Sequence, residues 1–175
     1  RQDFEYGFYF HNDVPGPNNS TSTTSDTNYF SDYNSYLALK NTYATQSTTG
    51  QTEPINTFFV QDVEPILNKT SDLVKKLREA LEKGAEVSMT MAGSASAPNS
   101  SEYNLALSKR RVDSVKKYLL SLQGGGGKPL QDYVDSGKLT IKEETFGEDI
   151  SITTEAGLTV NCTEPLTGSD KTFSV

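Results

Sequence analysis

The sequence predicts an α/β fold of order β-α-β-α-β, with helices packed on a sheet and a helical and loop insert after the first strand. Three observations carry this. Two long segments, residues 61–83 and 102–122, repeat apolar residues with helical period. Between them, residues 86–92 alternate apolar and polar as a half-buried strand does. An aromatic run, FEYGFYF, opens the chain at residues 4–10. Strands joined by long helices imply a sheet covered by those helices. The 175 residues suit a single domain, because a chain of this length removes roughly 70% of its unfolded surface from water.

The first strand ends in His-Asn-Asp and Val-Pro-Gly-Pro, which is turn chemistry. Residues 18–28, NNSTSTTSDTN, hold no apolar residue and read as a loop. Asp32 is expected to cap a short helix running to Tyr43. The insert, about 14–58, is expected to lie outside the compact core, which comprises about 4–13 and 59–149. In the first long helix the stripe is Val63, Ile66, Leu67, Leu73, Val74, Leu77, Ala80 and Leu81. Gly84 stops it, and Pro65 fits only near its first turn. Strand 86–92 places Val87, Met89 and Met91 on one face. Ser100 and Ser101 are candidate caps of the second helix, whose stripe includes Leu107, Val112, Val115, Tyr118 and Leu119. Residues 130–134 suit a short helical turn, and KLTIKEE at 138–144 a third strand. Residues 150–175 carry only weak strand signals (150–154, 158–160 and 172–175) and are expected to be irregular.

Composition excludes several function classes. With 16 basic and 23 acidic residues the net charge is −7, a poor match for nucleic acid or an anionic membrane face. No apolar run approaches about 18 residues, so no insertion into a membrane is expected of this segment. Cys162 is the only cysteine, so no intrachain disulfide is possible. The chain opens on Arg1 and shows no signal peptide, as expected of a processed product or a piece of a longer chain. The 19 Ser and 20 Thr gather largely in the insert and the tail, away from the patterned helices.

Catalytic chemistry is poorly provided for, and neither an enzyme nor a cofactor is expected. His11 and Cys162 are single copies with nothing in the sequence to bring them together. Residues 124–128 superficially suggest a phosphate loop. Leu122 stands where its first glycine belongs, and Pro129 replaces the metal-binding hydroxyl. The acidic residues Glu143, Glu144, Glu148 and Asp149 lack calcium-loop spacing and read as a solvated strand end, so no metal is expected.

The densest feature is AGSASAPNSSEYNLALSKRRVDSVKKYLL at 92–120: a strand, a small-residue loop, and a helix with paired arginines. Arg111 sits beside the apolar stripe, whereas Arg110 lies about 100° further round and is expected to be solvated. A charge beside a buried stripe needs an anionic or carbonyl partner, which an internal pair or a bound ligand would supply.

This segment resembles the OmpA-like C-terminal domains, which tie outer-membrane proteins of Gram-negative bacteria to peptidoglycan. Gly93, Tyr103, Asn104, Leu107, Ser108, Arg111, Val115, Tyr118 and Leu119 match the family pattern in register. FYFHND resembles its first strand, and KLTIKEETFGED its strand and glycine turn after the second helix. The resemblance implies a non-catalytic module on the periplasmic side of the outer membrane, with other envelope proteins as further partners. Its ligand would be the diaminopimelate of the stem peptide, bound by Arg111 and Asn104 with the loop at Ser96. In the family an arginine takes the carboxylate and a loop aspartate the ammonium. Arg111 matches the arginine, but Ser96 stands in the aspartate's place, and Asp13 and Glu102 are the acids able to replace it. The family's closing arginine-containing stretch and final strand are not seen in the sequence. The alternative implied by these departures is a degenerate relative serving structure or protein–protein interaction.

Overall fold

The computed structural model describes residues 6–21, 28–47, 50–95, 100–123, 127–145, 156–163 and 170–174. They form an α/β fold. Strand β1 (Tyr6–Phe8) is followed by helices α1 (Tyr29–Ala38), α2 (Lys40–Gln46) and α3 (Thr52–Phe58). A π-helical turn (Phe59–Val63) leads into α4 (Ile66–Glu82), β2 (Glu86–Gly93), α5 (Ser101–Ser121), α6 (Leu130–Asp135) and β3 (Leu139–Thr145). Strands β4 (Ala156–Thr163) and β5 (Asp170–Ser174) close the chain's described part.

The segment 61–83 is not one helix. A proline inside a helix removes a donor and crowds the preceding turn. The chain widens before Pro65 instead, with Glu64 N–H bonded to the Phe59 carbonyl at 2.8 Å, and α4 starts after the proline. Gly84 ends α4 at φ 90°, where the N–H of Ala85 reaches the Ala80 carbonyl and that of Gly84 the Leu81 carbonyl, both at 3.0 Å. Strand β2 buries Val87, Met89 and Met91, as its alternation predicts, in one cluster with Val74, Leu77, Val112, Val115 and Leu119. Gly93 is required by closeness. A Cβ there would stand 2.5 Å from Val112 Cγ2 and 2.8 Å from the Ser108 carbonyl oxygen, so any side chain would push α5 off the strand.

The C-terminal part corrects an expectation. The described residues of 150–175 form two strands, which take in the weak signals at 158–160 and most of 172–175, and β4 is central. The sheet order is β1-β4-β2-β3. β4 runs antiparallel to β2 from Gly157 to Thr163, and β2 and β3 are parallel, with Val87 opposite Leu139. β1 and β5 divide the other edge of β4, at 156–158 and 159–163. The signal at 150–154 lies outside the described residues.

The insert is also corrected, since it belongs to the core. Tyr29 is wholly buried and Tyr33 nearly so. Asn28, not Asp32, caps α1, accepting from the Phe30 N–H at 3.1 Å. The ladder of β1 with β4 ends at Phe8, and the Tyr29 hydroxyl takes over for the next residue. It accepts from Tyr9 N–H and donates to the Tyr9 carbonyl, both at 3.2 Å. The Tyr29 ring packs edge-on against Phe8 and Phe10, each with centroids 5.1 Å away.

Candidate functional site

The paired arginines of α5 face the loop after β1, residues 11–21. Arg111 is 5% exposed. Its Nε donates to the Val14 carbonyl and its Nη1 to the Ser94 carbonyl, both at 3.1 Å, and its Nη2 to the His11 carbonyl at 3.5 Å. The Phe10 ring lies 5.4 Å from the guanidinium carbon. Burial, and then the neighbouring Arg110, pull the Arg111 pKa down to about 10, against the pull of Asp13, Tyr36 and Asp32. It remains a cation at neutral pH. Its partners are thus carbonyls, a weaker counterweight than the carboxylate of an internal ion pair.

Arg110 corrects the expectation of a solvated side chain, because its exposure is 0%. Its Nε donates to the Pro15 carbonyl at 2.8 Å and its Nη1 to the Thr21 carbonyl at 2.7 Å. The guanidinium carbon sits 5.5 Å from the centre of the Tyr103 ring. The helical wheel places Arg110 away from the sheet, as expected, but the loop covers that side too.

Four carbonyls of one short loop therefore converge on two cations. The backbone bends sharply to allow it: Asp13 and Asn18 each stand at φ 59° and Gly16 at φ 69°. A left-handed conformation is uncommon for residues other than glycine and needs support from its surroundings. Asp13 has that support. Its Oδ2 accepts from the Asn18 N–H at 2.9 Å, and its Oδ1 from the Tyr103 hydroxyl. Asp32, the other acid in the field of Arg111, is 5% exposed and accepts from the Ser114 hydroxyl at 2.5 Å. Burial pushes its pKa up, offset in part by Ser114 and Arg111.

Among the expected site residues, Arg111 and Asn104 lie two turns apart on one face of α5, and both are buried. Asn104 is completely buried near the start of α5. Ser96 lies outside the described residues. Glu102 is exposed in the first turn of α5. Asp13, one of the two acids expected to replace the loop aspartate, lies in the loop whose carbonyls bond both arginines, and Tyr103, which donates to it, is the addition.

No protein-family model matches the chain, and no curated protein matches it significantly.

Other candidates hold little. His11 Nδ1 is bonded to the Tyr43 hydroxyl at 2.6 Å. Glu143 is exposed and pairs with Lys116 at 2.5 Å, and Glu148 and Asp149 lie outside the described residues. Among the described residues no three His, Cys, Asp or Glu side chains gather as a metal site, and no helix is long and apolar enough to cross a membrane. An open cleft of about 410 Å³ between α5 and α6 is lined by Asp113, Lys116, Lys117, Leu120, Pro129 and Gln131, among others. Its lysines are held in ion pairs with Glu143 and Asp113.

Proposed function

We propose that this chain is a non-catalytic, OmpA-like module of the cell envelope that associates with peptidoglycan on the periplasmic side of the outer membrane. Arg111 receives the carboxylate of the stem-peptide diaminopimelate. The observation that carries this reading is the state of its guanidinium. Three backbone carbonyls hold it in place and use three of its five N–H donors. Among the described residues the other two donors have no bond, and a positioned, permanently charged fork of that kind suits a carboxylate, with charge-assisted bonds contributing about 1.5–3 kcal/mol each. The pattern YNLALSKRR carries the resemblance to that family, and Asn104 is buried two turns before Arg111 on the same helix. No cofactor, metal or bond-making step belongs to this reading.

Titration of the chain with a diaminopimelate-containing muropeptide, followed by NMR, tests it. A saturable shift at millimolar ligand or below is expected. Arg111→Ala should weaken it about tenfold or more, the equivalent of one lost charged bond. No saturable shift, or unchanged binding by the alanine variant, sinks the reading.

One observation favours a second reading, a degenerate relative kept for structure or protein–protein interaction. Both guanidiniums are almost closed off from solvent and already bonded to the chain's own carbonyls. On that reading Arg111→Ala lowers stability and the wild-type chain binds no muropeptide.

A further inference from the structure

We infer that residues 12–21 form a strap that is shut over Arg111 and has to open for the ligand to bind, with the Val14 and His11 carbonyls keeping the place of the ligand's carboxylate. The inference rests on the proposed role of Arg111 and adds the regulation of that site.

Burial requires the movement. Arg111 is 5% exposed and Arg110 0%, and on the side away from the sheet their cover is this strap. A carboxylate has to come within about 3 Å of a guanidinium nitrogen to bond it, so the cover must yield. The three bonds of Arg111 divide accordingly. Ser94 directly follows β2, and its carbonyl stays on Nη1 when the strap lifts. The Val14 and His11 carbonyls take Nε and Nη2, the two donors on one edge of the guanidinium plane, where a carboxylate bonds through both oxygens. The His11 bond, at 3.5 Å, is the longest of the three and the first to give way. One carboxylate replaces two neutral carbonyls with charge-assisted bonds, whereas a neutral ligand end gains nothing by the exchange.

The strap is built to lift. Before it, Phe10 lies in the core and the His11 ring is bonded to the Tyr43 hydroxyl, which makes His11 the hinge. From 12 to 21 only Pro15 is buried, with Val14 partly buried against the core. The grip on α5 is polar: Arg110 on the Pro15 and Thr21 carbonyls, Arg111 on that of Val14, and the Tyr103 hydroxyl on Asp13. Segments with few buried apolar contacts open locally at small cost. Shut, the strap also holds Asp13 and Asn18 at φ 59°, which the bonds of Asp13 to Tyr103 and to the Asn18 N–H sustain. Tyr103 is the latch, a positioning residue that acts through Asp13.

Tyr103→Phe releases the latch and keeps the ring beside Arg110. Amide exchange, followed by NMR on the full chain, should quicken at Val14 and Asn18 with β2 unchanged. The same variant, titrated with the diaminopimelate-containing muropeptide, should bind about fivefold more tightly, the equivalent of one hydrogen bond that opening no longer breaks. The gain should lie in the association rate, because the open state is more populated while the bound state is the same. A residue that merely supports the site would weaken binding when changed. Unchanged exchange, equal or weaker binding by Tyr103→Phe, or a gain in the dissociation rate alone overturns the strap while leaving the role of Arg111 standing. If neither protein binds the muropeptide, the functional reading falls and the strap falls with it.

Discussion

The two sides of α5 are held by different physics. Toward the sheet it presents Val112, Val115 and Leu119, which share one buried cluster with Met89 and Met91 and need only to be apolar and of fitting size. Toward the insert it presents Arg110, Arg111 and Ser114, each bonded to a particular oxygen: Pro15, Thr21, Val14 and His11 carbonyls, and the Asp32 carboxylate. Tyr33 adds a bond from its hydroxyl to the Glu64 carbonyl at 2.9 Å. Area burial is non-directional, so the sheet side tolerates variation. Buried hydrogen bonds are directional and costly to leave unmade, so the insert side has one arrangement. A binding site needs the second kind of order, and Arg111, the residue proposed to hold the ligand, is bonded on that side.

Leu119→Ala should produce the largest change. Leu119 is fully buried, and its truncation should cost about 2–5 kcal/mol of global stability in urea unfolding. A smaller loss confined to the insert would break the comparison by showing that the sheet side does not carry the fold. Tyr29→Phe keeps the ring and removes the hydroxyl that serves both backbone groups of Tyr9. A loss of about 1–3 kcal/mol is expected. It should appear first as faster amide exchange at Tyr9 and along α1, with β2 still protected.

The smallest effect sharpens the electrostatic side. Burial raises the folded-state pKa of Asp32 above 3.8, so this group favours the folded chain while protonated. Its contribution is complete below the unfolded value and is lost as pH rises through the raised folded value. Asp32→Asn keeps an acceptor for Ser114 and cannot ionise. Its stability relative to wild type should therefore improve as pH rises from 3.8 through that window, by about 1 kcal/mol or less because one hydrogen bond replaces another. A pH-independent difference in thermal midpoint would contradict the buried, raised Asp32.

Much of the sheet side was legible in the sequence. The period of residues 66–81, the alternation at 87–91, the stop at Gly84 and the cap at Ser100 are local properties. The last three appear in the structure within a residue or two, while the helix expected over 61–83 begins only after Pro65. The candidate site was legible in part. Arg111 could be singled out because it borders an apolar stripe, but two of its three partners are 97 and 100 residues away in the chain, and no periodicity reports such contacts. The same holds for Arg110, whose burial depends on a loop from elsewhere. Asp32 looked like a cap because capping is local, and its actual partner, Ser114, lies 82 residues on.

By itself, the sequence determined the helices and strands whose apolar residues recur at 3.6 or 2, because that pattern can bury a face in only one conformation. It also determined the net charge of −7 and the single thiol. Only the tertiary structure decided that residues 156–163 form the central strand. Their weak pattern becomes a strand because β2 lies along one edge while β1 and β5 share the other. Only the tertiary structure placed the insert against α5, where carbonyls at 11–21 meet two buried cations. A long-range hydrogen bond leaves no periodic trace in the chain, since its partners need only to meet in space.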